Sequence, residues 1–209
     1  YRILRAVKNR FGSTNEIGIF EMREKGLVEV DNPSEVFLKG RPVDSYGTVV
    51  TAAMEGTRPL LIEIQALVTY SPAGFAKRIT TGIDNNRAAM LLAVLEKKAG
   101  LAMQSSDTFI NVTGGLQLKE PAADLAILCA LASSFKEVPV DFKTILIGEV
   151  GLTGEIRGVN SIEKRLMEAE KMGFKRAVIA ESNEKISKGI KNIEIIPVSS
   201  VRQVIDLLF

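Results

Sequence analysis

The sequence has no histidine, no tryptophan and one cysteine, Cys129. The missing imidazole excludes a Ser-His-Asp triad, a Cys-His dyad and a histidine metal site. One thiol can neither close an intrachain disulfide nor build a cysteine zinc cluster. Excess charge of one sign is lacking too. The formal net charge is +2, too small for nucleic-acid binding by bulk charge, so any such role must come from local clusters. Apolar runs such as Leu125–Ala132 fall far short of the roughly 20 residues a membrane span needs. No signal-peptide pattern opens the chain, and a cytoplasmic protein without membrane contact is expected. No internal repeat is visible. No Gly-rich loop ending in Lys-Ser/Thr occurs, so ATP binding by that route is not expected of these residues.

What is present is core. Hydrophobic residues make up 46% of 209, ample for one large domain, or one domain plus a fragment. The first stretch is poorly supplied. A strand at Tyr1–Val7, two more at 15–22 and 27–30, and a short helix starting at Asn32-Pro33 make too little core for independence. Residues 1–39 are therefore expected to be the end of another domain, and 40–209 a domain of their own. In the latter, Thr48–Glu55 and Leu60–Thr69 predict a β-hairpin across Gly56–Pro59. Asp84 caps a predicted helix over 85–99 that ends at Gly100, with Ala88, Leu91, Leu92 and Leu95 on one face. Strands are expected at 108–113, 144–150, 176–180 and 193–198. Helices are expected at 121–134, 160–172 and 183–188, and after Ser199 or Ser200. Early hairpins followed by alternating elements indicate an α+β sandwich.

Residues 148–166, GEVGLTGEIRGVNSIEKRL, resemble the segment of Lon-type proteases that carries the catalytic lysine. Gly148, Glu149, Leu152, Gly154, Ile156, Val159 and Ile162 fit the frame, but Glu163 stands at the lysine position. The nucleophile motif of that family is G-P-S-A-G. Its counterpart here is Glu120-Pro121-Ala122-Ala123-Asp124, with Ala122 in place of serine. The resemblance implies a Lon-protease-like α/β sandwich, of the type of ribosomal protein S5 domain 2, without the Ser-Lys chemistry. No catalytic residue and no metal site is expected in this chain. An active peptidase would need a displaced nucleophile such as Ser105, Ser106 or Thr113. Locally, Pro121 suits a first helical turn, and Asp124 places a charge near the positive end of a helix. Asn160 followed by Glu163 has capping-box spacing. Ser161-Ile162-Glu163-Lys164 has the S-x-x-K spacing of penicillin-binding enzymes, but the companion motifs of that class are absent.

A second motif lies near the start. Lys8-Asn9-Arg10-Phe11-Gly12, followed by Ser13–Met22, resembles the KNRFG segment of the RadA (Sms) family of bacterial DNA repair proteins. That family joins a RecA-like ATPase core to a C-terminal Lon-protease-like domain. The resemblance covers essentially the whole chain and implies a hexameric ring driving branch migration of recombination intermediates. It implies DNA, single-stranded or branched, as partner, with self-association and a RecA-type recombinase as further partners. ATP with Mg and a four-cysteine zinc finger are expected only in the full-length protein, outside these residues. Planar Arg10 suits phosphate, Lys8 is a point charge, Phe11 can stack and Gly12 allows a tight turn. From spacing alone the alternative is a solvated basic turn. Whether Lys8 and Arg10 meet DNA or a neighbouring subunit's ATP stays open. Further cations are Arg58, Lys77, Arg78, Arg87, Lys97, Lys98, Lys164 and Arg165. Lys77 and Arg78, in a loop-like segment beside Phe75, are the candidates for DNA contact. For any single one the alternative is a solvated face. The chain is thus expected to be a non-catalytic oligomerisation and DNA-binding module, the alternatives being an active peptidase or a pure scaffold.

Overall fold

The computed structural model describes residues 2–5, 10, 17–24, 26–71 and 75–209. A small antiparallel sheet comes first, in the order β1 (Arg2–Arg5), β2 (Ile17–Arg23), β3 (Gly26–Glu29). Helix α1 (Pro33–Leu38) comes next. The Asn32 side chain accepts the Glu35 N–H, and Pro33 occupies the first helical position, where its missing N–H is harmless. In space α1 belongs with the larger sheet. It packs on that sheet's strand β5 (Arg58–Tyr70), with Ser34 and Phe37 buried.

This main body is seven-stranded. Its strands are β4 (Thr48–Glu55), β5, β6 (Arg78–Thr81), β7 (Ser106–Val112), β8 (Thr144–Ile147), β11 (Arg176–Ala180) and β12 (Glu194–Val198). Their order is β12-β11-β8-β4-β5-β7-β6. Strands β12, β11, β8 and β4 run parallel, β4-β5-β7 alternate, and β6 lies parallel to β7 at the edge. The hairpin turns tightly at Gly56 and Thr57, with Glu55 opposite Arg58. The parallel half joins the antiparallel half through the pairing of Val50 with Ile145.

Three helices cover one face: α2 (Asn85–Val94), α3 (Asp124–Lys136) and α5 (Val201–Leu208). Asp84 caps α2, a π-helical turn at Leu95–Ala99 extends it, and Gly100 ends it at φ 72°. The predicted stripe of Ala88, Leu91, Leu92 and Leu95 is buried. Ser200 caps α5 by accepting the Gln203 N–H. Helices α1 and α4 (Ile162–Lys171) lie on the other face, where Val50, Ala52, Leu61, Ile145 and Ile147 meet Ile162, Leu166 and Ala169. That cover ends at β5. Beyond it, Leu67, Phe109 and Ile79 form a cross-strand row, with Leu67 and Ile79 about half exposed.

The fold is therefore mixed α/β, with both strand directions in one sheet. Three local expectations change. The segment read as loop-like at 71–78 leads into strand β6, which its sequence hides because Ile79 is its one apolar residue. The predicted strand 144–150 breaks at Gly148 into β8 and β9 (Glu149–Val150), and β9 pairs with β10 (Ile156–Arg157). The 183–188 helix is replaced by two 3-10 turns, Glu181–Asn183 and Ile186–Gly189.

Candidate functional site

The site forms where the chain leaves β7, crosses 113–120 and enters α3. A 3-10 turn, Pro121–Ala123, leads into the helix. Gly148 fastens this turn: its N–H donates to the Ala122 carbonyl at 3.0 Å, and its carbonyl accepts the Leu125 N–H at 3.1 Å. A Cβ on Gly148 would lie 3.0 Å from the Ile156 side chain. The left-handed φ of 89° at Gly154 also favours glycine. These two glycines of the Lon-like frame thus have structural duties that do not depend on catalysis.

Ala122 is 2% exposed and packs its methyl into the core on the α4 side. It borders a cleft of about 330 Å³ together with Glu120, Glu149, Gly158, Asn160 and Arg165. Glu163 is exposed in the first turn of α4 and borders a neighbouring cleft with Ser161, Lys164 and Asn183. The two clefts meet at Gly158–Asn160, but neither is lined by both Ala122 and Glu163. Ser105, Ser106 and Thr113 do not line the Ala122 cleft, and the Thr113 hydroxyl is engaged with the Glu63 carbonyl at 3.2 Å. The capping box expected at Asn160 and Glu163 does not form. The chain enters α4 through Ser161 at φ 57°, without a side-chain cap, which leaves Asn160 one residue too early.

Two guanidinium–carboxylate pairs flank Ala122. Glu120 accepts from Arg165 Nη1 at 2.8 Å and Nη2 at 2.6 Å, and from the Met54 N–H at 2.6 Å. Arg165 is 2% exposed; it also donates Nε to the Asn160 carbonyl at 3.1 Å and Nη1 to the Ala52 carbonyl. On the other side, Asp124 is 1% exposed. It accepts from Arg87 Nε at 2.7 Å, from Arg87 Nη2, and from the Val150 N–H at 3.1 Å. Such bidentate pairs are strong and directional. With the Met54 and Val150 N–H groups they hold the start of α3 against α2, β4, β9 and α4. Asp124 therefore does more than meet a helix dipole.

These pairs also correct the list of surface cations. Arg165 is core, Arg87 is a structural partner, and Arg58 donates to the Asp31 carbonyl at 2.8 Å. Sequence periodicity held a clue, because Arg165 falls on the buried stripe Ile162, Leu166 and Ala169. Asp124 opens a helix whose next ten residues are all buried, and a charge so placed needs a partner.

Of the KNRFG segment, Arg10 is exposed; Lys8, Asn9, Phe11 and Gly12 lie outside the described residues. Lys77 and Arg78 are exposed at the β6 edge. The Lys77 N–H donates to Asp107 Oδ1 at 2.7 Å, and this bond leads the causes that hold the Asp107 carboxyl below its ordinary pKa. An anion thus sits beside the Lys77 ammonium. Cys129 is fully buried in α3, and burial pushes its thiol pKa far up. Among the described residues, no group of three or more acidic or thiol side chains is placed to hold a metal, and no helix is long and apolar enough to cross a membrane.

A family model described as subunit ChlI of Mg-chelatase matches residues 75–183. The DNA repair protein RadA of Bacillus subtilis is 55% identical over 203 residues, covering 97% of this chain and 44% of the relative. The protein of the same name from Listeria monocytogenes is 54% identical, over 96% and 44% respectively. That from Streptococcus pneumoniae is 52% identical, over 100% and 50%. The chain thus spans about half the length of these relatives. It belongs over residues 75–183 to the family described as subunit ChlI of Mg-chelatase and, along nearly its whole length, to the RadA family of DNA repair proteins.

Proposed function

We propose that this chain is the ring-forming, DNA-contacting part of a RadA-type ATP-dependent DNA repair motor, built on a Lon-protease-like fold that has lost its peptidase chemistry. The observation that carries this is the identity of more than half its residues to proteins named DNA repair protein RadA. The loss of peptidase chemistry is supported by Ala122, a buried methyl between two carboxylates already tied to arginines. A nucleophile there would need a hydroxyl and a neighbouring base, and the frame offers an alanine and an outward glutamate. The boundary at residue 39 then separates, along the sequence, the end of a RecA-like core from the Lon-like domain of 40–209, with α1 packed on the sheet of the latter. ATP with Mg, the zinc finger, branch migration and a RecA-type recombinase partner belong to the complete protein, in the cytoplasm.

The physical logic of the DNA role is multivalency. With a net charge of +2, one subunit binds DNA weakly. A closed ring repeats a few cations per subunit, and each phosphate engaged releases counterions. Among the exposed cations, Lys77 and Arg78 are assigned to DNA, and Arg10 to DNA or a neighbouring subunit's ATP. Asp107 offsets part of the Lys77 charge, so the double reversal K77E/R78E is the informative variant.

Fluorescent forked DNA titrated at low and moderate salt, with oligomeric mass tracked in parallel, tests this. Affinity should rise with assembly and fall steeply with salt. K77E/R78E should weaken binding while assembly survives. Salt-insensitive binding by a monomer refutes the ring-lining model, and an oligomer without DNA affinity at low salt leaves a scaffold only. Cleavage of unfolded protein, abolished by changing one serine or lysine, refutes the loss of peptidase chemistry.

A further inference from the structure

A pocket of about 440 Å³ opens where α1, the turn at 141–143 and the end of α4 converge. It shares no lining residue with the Ala122 cleft. Its walls are mainly apolar, supplied by Val36, Leu38, Met172 and Phe174. Arg41 sits among them, only 9% exposed. Its guanidinium carbon lies 4.3 Å from the Phe142 ring centre and 5.9 Å from that of Phe174. Nη1 donates to the Phe142 carbonyl at 2.9 Å, while Nε is buried without a hydrogen-bond partner.

That is a costly way to keep a cation. Removing a guanidinium from water needs compensation by paired charge or by satisfied donors. The ring faces return part of it. Glu63 and Asp141 act on Arg41 through space, yet burial outweighs them and lowers its proton affinity. Lys39 and Lys143 bring two more cations to the lining, against one acid, Glu35. The pocket therefore combines an apolar body, an excess of positive charge and an under-satisfied buried guanidinium. Small-molecule sites have this make-up, with volumes of roughly 300–1,000 Å³.

We propose that this pocket binds a small organic anion, a carboxylate or phosphate monoester carried on an aromatic or branched apolar group. The anion pairs with Arg41 from the open side, with Lys39 and Lys143 adding attraction. The apolar group displaces water from between Val36, Met172 and Phe174. This site is independent of the DNA-binding proposal and of the degenerate dyad.

The test is a titration of the methyl-labelled chain, read from the methyl signals of Val36, Leu38 and Met172. The probes are indole-3-acetate, indole-3-acetamide, phenyl phosphate and inorganic phosphate. The two anionic aromatics should shift these signals in a saturable way. The neutral acetamide should bind roughly tenfold more weakly or worse, a difference of about 1.4 kcal/mol. Tighter binding of phenyl phosphate assigns a phosphate ligand, and tighter binding of indole-3-acetate a carboxylate. Arg41→Gln should remove most of the preference for acid over amide, leaving only the part due to Lys39 and Lys143. Val36→Trp, which fills the pocket and spares the cation, should abolish binding of both. Circular dichroism checks the fold, and if one variant fails to fold the other decides. Equal affinity for acid and amide, equal affinity for inorganic and phenyl phosphate, or no shift up to millimolar probe would each overturn the proposal.

Discussion

Replacing Arg165 by methionine should destabilise the chain by about 3 kcal/mol. The side chain is 2% exposed, and its partner Glu120 is 26% exposed. In the variant, Glu120 loses donors at 2.8 and 2.6 Å and keeps the Met54 N–H at 2.6 Å. The Ala52 and Asn160 carbonyls lose a donor as well. Removing one partner of a buried pair typically costs ~3–5 kcal/mol, much of it from the charge left behind. The partial exposure of Glu120 admits water and places the value at the low end. Methionine retains most of the apolar stem, which limits the packing loss. For a domain of this size, about 3 kcal/mol corresponds to a fall in Tm of roughly 6–12 °C. Urea unfolding monitored by circular dichroism measures it directly. The second arm is the double variant R165M/E120L, which removes both charges and should recover about 2 kcal/mol. By contrast, Arg157→Ala breaks an exposed pair with Glu155 and should change stability by less than about 0.5 kcal/mol. A loss below about 1 kcal/mol for Arg165→Met, or simple additivity in the double variant, would refute this account of the pair.

Two further outcomes concern single groups. Glu155 accepts from Thr153, its main cause of perturbation, and from Arg157, which together depress its pKa from 4.5 to about 2. A depressed carboxyl contributes stability that is present above its ordinary pKa and is lost as pH falls through about 2. NMR titration should place its midpoint near that value, and a midpoint near 4.5 refutes the assignment. Cys129 is fully buried and its thiol is pushed up by desolvation, so thiolate-directed reagents at pH 8 should react only as fast as the fold opens. Complete labelling of the native chain within minutes would contradict its core position.

Much of the fold was legible because its periodic elements are long. The stripe of α2, its Asp84 cap and its Gly100 stop are all readable from spacing, and so are the β4–β5 hairpin and, to within the choice between Ser199 and Ser200, the cap of α5. What escaped lacked a local signal. Strand β6 is four residues long and is made by pairing with β7. The break at Gly148 arises from bonds to Ala122 and Leu125, more than twenty positions earlier in sequence. At the candidate site, Ala122 and Glu163 could be located by motif, but their surroundings could not. Glu120, Asp124, Arg87 and Arg165 look like ordinary surface charges until the fold brings them together. The left-handed Ser161 likewise overrode a good capping sequence, because the approach of the chain to α4, and not residue type, sets where that helix begins.

The pairing of Val50 with Ile145 has a kinetic consequence. Strands β4 and β5 neighbour one another through a tight hairpin and can assemble early and locally, whereas β7 joins them only after the chain has passed through β6 and α2. Strand β8 has to find β4 from about a hundred residues away, a contact whose chain entropy is lost before it is repaid. Helix α3 spans the seam in the folded chain, resting on β4 and β5 on one side and on β8 on the other. The closing of this seam is therefore expected to limit the folding rate, and until it closes the strand edges on either side are open to pairing with other chains.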